Sequence, residues 1–505
     1  MKKQSSIHPL NSSSGNKTAY GFRKTFVAAL IILWAAIPAS VFSQDFIKTL
    51  SLPSSTSITK NIVRNCGDTG FMCYIETPSQ HLFVKANDTM GVVYYTFELP
   101  INHYVLDFEI HRDMLFFCGY TYETRAGEVG LIGHFSIGDM CNTVNKVYIY
   151  NHIGYGQMAS RIYAKSFTDL EFLDVCHVQQ TPCPDVYVAL VGSDAEDNPL
   201  IVEAIGPYNN PSNWRFALGR NSASACHEKF VQVEETRNYV VTGGTALNNF
   251  NKGICFRAFN KNGYPDFFTN SSIHNKFYRY ESVNTITQGY TAYPLNKHFE
   301  MAATNIDSIA TLSLYKRVTS GYEPQTLYGV LLNVYDIAQT LSQPNINCPY
   351  STYTPSAYNL AGSHISDLLY NTNTKNLYAL LTADVPSSGA SSVCAFIPYL
   401  QATPLIVSCL TIPTTEFCKM DITNYSSTCL ISGYWSSIIS GIGVYHRYPI
   451  GSVPKCASKY AIDCNAPEHF RSKEYNYPLD IYRSNFDFST VTVNCTPMSF
   501  NSFCR

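Results

Sequence analysis

The sequence predicts an all-β protein built from repeats, and three observations predict it. Tyrosine (37) and phenylalanine (29) are abundant while only 14% of the 505 residues are charged, a balance that suits pleated, half-buried strands joined by polar turns. Few stretches carry the apolar spacing of an amphipathic helix. A unit of three short strands recurs along the chain, about 50 to 70 residues from one copy to the next.

The clearest copy has strands at 105–110, 114–119 and 130–137, the second ending at Gly119. The same order returns at 170–175, 186–192 and 199–205, and at 229–233, 238–243 and 253–259. Later copies cover 364–370, 376–382 and 392–399, then 416–422, 428–433 and 441–448. A weaker copy at 298–303, 309–315 and 327–335 lacks the strand-ending glycine, and 71–75, 81–85 and 92–99 form a partial one. Each copy leaves space for a fourth, outer strand. The expectation is a single β-propeller of six or seven four-stranded blades, with tandem β-sandwiches as the alternative.

The Asp107-Phe108, Glu171-Phe172 and Glu416-Phe417 pairs, the strand-end glycines and the glycine-led third strands carry a resemblance. Over residues 70–450 the chain resembles secreted β-propeller proteins of Gram-negative bacteria at the level of fold. It has neither the Trp-Asp of WD40 repeats nor the sialidase box, and its one Gly243-Gly244 doublet falls short of a kelch repeat.

The N-terminus predicts export. Arg23 and Lys24 precede an apolar run over 26–37, Pro38 breaks it, and small residues lead to Ser43. That order is a secretory signal peptide over 1–43, giving a secreted or periplasmic protein without membrane attachment after cleavage. An uncleaved N-terminal anchor is the alternative. Residues 44–70 then read as an N-terminal segment, 71–449 as the propeller repeats and 450–505 as a cysteine-containing tail. The tail's one strand-like run, 489–494, is expected to close the ring by completing the first blade, or to lie pinned on the surface.

All 17 cysteines follow the apolar run, and none forms a C-x-x-C. Sequence neighbours are candidate bridges in an oxidising compartment: Cys66 with Cys73, Cys176 with Cys183, Cys418 with Cys429, Cys456 with Cys464, and Cys495 with Cys504. A formal net charge of -2 with scattered Lys and Arg argues against nucleic-acid binding.

No nucleophile elbow, zinc helix, phosphate loop or EF-hand is present, so no catalytic residue is assigned and no cofactor or metal is expected. The acidic turn 193–198 is the one calcium candidate. Asp107, Asp174 and Asp367 recur near the start of the first strand, where an inter-blade hydrogen bond accounts for them. Tyr120, Tyr122 and Trp435 follow strand-ending glycines in what read as upper-face loops, where flat rings stack on a sugar or anchor a protein. The functional expectation is therefore an exported, non-catalytic binding or interaction protein with a glycan or protein partner. The alternatives are a carbohydrate-active enzyme, hydrolase or lyase, and a structural cell-surface repeat protein.

Overall fold

The computed structural model describes residues 46–51, 58–66, 70–87, 93–111, 114–123, 127–137, 146–152, 171–179, 186–193, 199–205, 214–219, 226–248, 252–261, 276–282, 299–304, 307–318, 326–337, 350–353, 359–372, 376–384, 391–397, 416–423, 428–436, 441–449, 464–465, 470–475, 479–483, 486–492 and 501–504. The chain is all-β, as its composition predicts. Among the described residues the strands form seven antiparallel sheets, and no helix is long and apolar enough to cross a membrane.

Four consecutive strands build sheet I: Lys60–Asn65, Gly70–Glu76, His81–Asn87 and Val93–Leu99. Sheet II follows with His103–His111, Met114–Glu123, Gly127–Ser136 and Lys146–His152, and sheet III with Glu171–Gln179, Val186–Ser193, Pro199–Ile205 and Trp214–Gly219. Sheet IV holds Cys226–Glu235, Tyr239–Asn248, Lys252–Asn260 and Lys276–Ser282, and sheet V holds Phe299–Ala303, Ser308–Val318, Thr326–Asp336 and Tyr350–Tyr353. Asn359–Asn371, Asn376–Asp384 and Ser391–Ile397 make sheet VI, while Glu416–Thr423, Thr428–Ser436 and Gly441–Pro449 begin sheet VII. The first strand of each sheet lies against that of the next, from I through VII, and that of VII lies against that of I.

The first sheet starts at Lys60, inside the stretch expected to be an N-terminal segment. Lys60–Asn65 is its first strand, so the run read from sequence as a first strand, 71–75, is its second. The ends also meet differently from expectation. Phe46–Ser51 adds to Gly441–Pro449 as the fourth strand of sheet VII, with Asn501–Cys504 outside it, so the N-terminus completes the last sheet. The strand-like run of the tail, Phe486–Thr492, borders Lys146–His152 of sheet II rather than completing sheet I.

Alternation along each strand distributes apolar side chains to two buried faces. In Gly70–Glu76, Met72 and Tyr74 join the core shared with sheet II, while Phe71, Cys73 and Ile75 join the core shared with sheet VII. Phe83 faces sheet II, its ring 5.4 Å from Phe108, 5.7 Å from Phe117 and 5.5 Å from Phe135. A third core joins sheets IV and V through Val241, Phe256, Phe299, Met301 and Ile309.

This two-faced burial also decides the cysteines. Cys66, Cys73, Cys118 and Cys176 are thiols. The expected Cys66–Cys73 bridge is not made, because Cys66 faces the core toward sheet II while Cys73 faces the one toward sheet VII. Cys176 sits opposite Ala189, and Cys183 lies outside the described residues. Cys429 pairs with Ile422, which places it about 13 Å along the strand from Cys418 and beyond the span of a disulfide. Cys456 and Cys495, the partners expected for Cys464 and Cys504, lie outside the described residues.

A β-bulge interrupts the first strand of sheets II, III, IV, VI and VII, between Val105 and Asp107, Phe172 and Asp174, Phe230 and Gln232, Ile365 and Asp367, and Phe417 and Lys419. The residue paired with the last position before the bulge is Gly119, Gly192, Gly244 or Gly433 in four of these sheets and Leu381 in sheet VI. A Cβ on Gly119 would stand 1.9 Å from the Tyr104 carbonyl oxygen, so the strand-end glycine makes room for the bulged backbone. Phe299–Ala303 of sheet V has no bulge, and its repeat lacks the glycine. Aligned on the bulge, Asp107 corresponds to Asp174, Gln232, Asp367 and Lys419; Glu171-Phe172 and Glu416-Phe417 fall before it. The acidic-Phe pairs are not equivalent positions.

Candidate functional site

Three of the residues after the bulges bind sheet to sheet. Asp174 Oδ2 accepts the Val233 N–H of sheet IV at 2.8 Å, and Gln232 Oε1 accepts the Met301 N–H of sheet V. Asp107 Oδ1 accepts from Arg64 Nη2 of sheet I at 2.8 Å, and Arg64 Nε donates to the Phe108 carbonyl at 2.9 Å. Asp367 accepts from its neighbour Leu368 N–H at 3.0 Å. Asp421, nearer the end of its strand, accepts the Asn65 N–H at 2.7 Å. Asp174, Gln232, Asp367 and Asp421 thus satisfy backbone N–H groups, while Asp107 holds the Arg64 side chain.

Around Arg64 the arrangement is electrostatically unusual. Burial alone would depress the guanidinium, but Asp107, Asp367, Glu109 and Asp421 hold its proton more firmly than water does. Glu109 lies 3.9 Å from Arg64 Nε. Burial pushes its carboxyl up to about 8, Arg64 opposes the shift, and Asp421 and Asp107 add to it. Its side chain still keeps 37% of its surface accessible, so the proton can exchange with solvent.

A second constellation stands at the other end of the same strands, around the turn from sheet I to sheet II. The turn is closed by His103 N–H donating to the Pro100 carbonyl at 2.9 Å and Tyr122 N–H to the Asn102 carbonyl at 3.3 Å. His103 Nδ1 meets Asn102 Oδ1 at 2.8 Å, and His81 Nδ1 meets the His103 carbonyl; with oxygen acceptors, both imidazoles are donors at Nδ1. Burial, then the neighbouring His81, lowers His103 to about 4, which keeps it neutral.

Three tyrosines cover this turn. Tyr104 and Tyr120 are cross-strand partners and their rings stack in parallel, 4.9 Å apart with 10° between planes. Tyr122 meets both edge-on, 5.6 Å from Tyr104 and 5.5 Å from Tyr120, each at 87°. The His81 ring supports Tyr104 from below at 4.7 Å. Tyr122 is 49% exposed and Ile101, on the turn beside it, 56%; they are the exposed large hydrophobics of the described chain.

The structure thus brings Tyr120 and Tyr122 together, and it places them in the last residues of a strand rather than in a loop. Met114–Glu123 continues past Gly119 because its pairing runs on to His103 opposite Thr121. Trp435 occupies the matching end of Thr428–Ser436 in sheet VII, on the far side of sheet I, so the backbone does not bring it to the tyrosine cluster. Sequence reasoning missed Tyr104, which stands beside Tyr120 as its cross-strand partner. Of the acidic turn proposed for calcium, only Ser193 falls within the described residues. Among those residues no group of three or more His, Cys, Asp or Glu could hold a metal ion. Burial pushes the Cys118 and Cys176 thiols up, which makes them poor nucleophiles.

No family model matches the chain, and no curated protein matches it. Among solved structures, the crystal structure of polysaccharide lyase Uly1 is similar with a TM-score of 0.40 and 7% identity, covering 79% of this chain and 90% of that one. A likeness of that size carries no argument.

Proposed function

We propose that this chain is an exported binding protein whose seven sheets are the blades of one β-propeller, and that it holds a glycan or protein partner against the tyrosine cluster of sheet II. The cyclic contact of the first strands and the completion of sheet VII by Phe46–Ser51 support the propeller. The N-terminal charge, apolar run and small residues support export. One observation carries the binding role: Tyr122 is half exposed and yet fixed by two other rings. A ring ordered in advance loses little entropy when a sugar or an apolar side chain stacks on it.

The test is a glycan array probed with the mature chain, followed by mass spectrometry of the bound sugar. Binding without cleavage is expected, weakened about tenfold or more by Tyr122→Ala. Binding that Tyr122→Ala leaves unchanged would remove the cluster from the reading.

The carbohydrate-active enzyme is kept as a second reading because of Glu109. A carboxyl that stays protonated near neutrality, beside the carboxylates of Asp107 and Asp421, has the character of a general acid. Cleavage of a bound glycan that disappears in Glu109→Gln would favour the enzyme over the binding protein.

A further inference from the structure

Residues beyond sheet VII return along sheets already formed, in reverse order. Cys464–Asn465 pairs with Tyr350–Tyr353 of sheet V, Phe470–Tyr475 with Lys276–Ser282 of sheet IV, and Leu479–Arg483 with Trp214–Gly219 of sheet III. Phe486–Thr492 then pairs with Lys146–His152 of sheet II, and Asn501–Cys504 with Phe46–Ser51 of sheet VII. In each case the tail adds the fifth, outermost strand. Sheets I and VI carry no such strand among the described residues.

We infer that the strands Cys464–Asn465, Phe470–Tyr475, Leu479–Arg483, Phe486–Thr492 and Asn501–Cys504 form a strap that locks the assembled sheets, so that adjacent sheets cannot separate until the strap has come off. The geometry gives the reason. Inside the molecule neighbouring sheets meet face to face through side chains, whereas the strap is one covalent segment held by backbone hydrogen bonds to four successive sheets. Pulling sheet III from sheet IV requires either unpairing Phe470–Tyr475 or Leu479–Arg483, or stretching the three-residue link between them. The register is continuous on both: Phe277 to Ser282 face Tyr475 to Phe470, and Arg215 to Gly219 face Arg483 to Leu479. The strap also covers the outer edges of these sheets, which would otherwise offer unpaired N–H and C=O groups to another chain.

Hydrogen exchange followed by mass spectrometry on the full mature chain tests the lock. Strap peptides 470–475, 479–483 and 486–492 are expected to exchange in one cooperative step with the strands they border, 276–282, 214–219 and 146–152. Strap amides exchanging about a hundredfold faster than those strands would mean that the sheets stay together without the strap, and would overturn the inference.

A second measurement uses Asp480→Pro and Ile481→Pro, made separately. Of two consecutive residues on an antiparallel edge, one N–H points at the sheet and the other at solvent, so one proline removes a ladder bond and the other serves as its control. The disruptive one is expected to speed unfolding in denaturant about tenfold or more and its companion to leave it near the parent rate. Equal, parent-like unfolding of both would sink the lock; if the disruptive variant does not fold, the exchange experiment on the parent decides.

Discussion

Gly119 shows how one missing side chain admits a structural device. Its Cβ would stand 1.9 Å from the Tyr104 carbonyl, and the nearest atoms are backbone, which cannot swing away as a side chain would. Gly119→Ala is expected to destabilise the protein by about 2 to 4 kcal/mol in urea unfolding, as overpacking against a fixed main chain does. At Glu109 the prediction concerns pH. Its folded value near 8 stands above the ordinary 4.5, so the folded state holds a proton that the unfolded chain releases across that range. Stability from this group is therefore full below about pH 4.5 and is lost as pH rises toward 8. His103, lowered to about 4, acts in the opposite sense and only below its ordinary 6.5, where acid removes its contribution. Between pH 6.5 and 8.5 the two separate: Glu109→Gln is expected to flatten the fall in stability and to exceed the parent above pH 8. Unfolding curves of both proteins that stay parallel across this range would rule out the raised Glu109 value.

Among elements, the bulged first strand is the unit that repeats. In sheets III and IV the post-bulge oxygen reaches the backbone of the next sheet, Asp174 to Val233 and Gln232 to Met301. Asp174→Ala leaves the Val233 N–H buried without that acceptor, and a loss of about 1 to 3 kcal/mol is expected from chemical denaturation; no change would mean that another acceptor takes over. Much of this element is legible in sequence, because a glycine at the end of an apolar strand is unusual enough to recur visibly. The bulge itself is not, since an extra residue leaves no mark in composition, and aligning Asp107-Phe108 with Glu171-Phe172 therefore shifted the repeat. Lys60–Asn65 escaped for a related reason. Lys60 and Arg64 reach sheet II through their side chains, while Asn61 and Asn65 bond sheet VII through their backbones, so a largely buried strand carries the composition of a loop. Tyr104 was hidden by the same habit of reading each strand alone: its role comes from Tyr120 across the ladder and His81 on the next sheet. The strap strands Phe470–Tyr475 and Leu479–Arg483 lie on outer edges, where a single partner strand imposes too little alternation to read.

For the whole molecule, sheet VII takes its fourth strand from six residues at the start of the described chain. Thr49 pairs with Val444, and joining them through Thr49→Cys and Val444→Cys would make the contact between the two ends covalent. The oxidised variant is expected to resist thermal unfolding by about 3 to 5 kcal/mol more than its reduced form, since the loop it closes is about four fifths of the chain. No difference between the two forms would show that the ends separate late in unfolding or not at all. The same pairing has a consequence in time. Phe46–Ser51 is among the first segments of the described chain to be synthesised, and its partner Gly441–Pro449 among the last. At about 5 to 20 residues per second, the early strand waits roughly 20 to 80 seconds for a neighbour. For that interval both edges of the early strand are unpaired, because its other neighbour, Asn501–Cys504, is made later still.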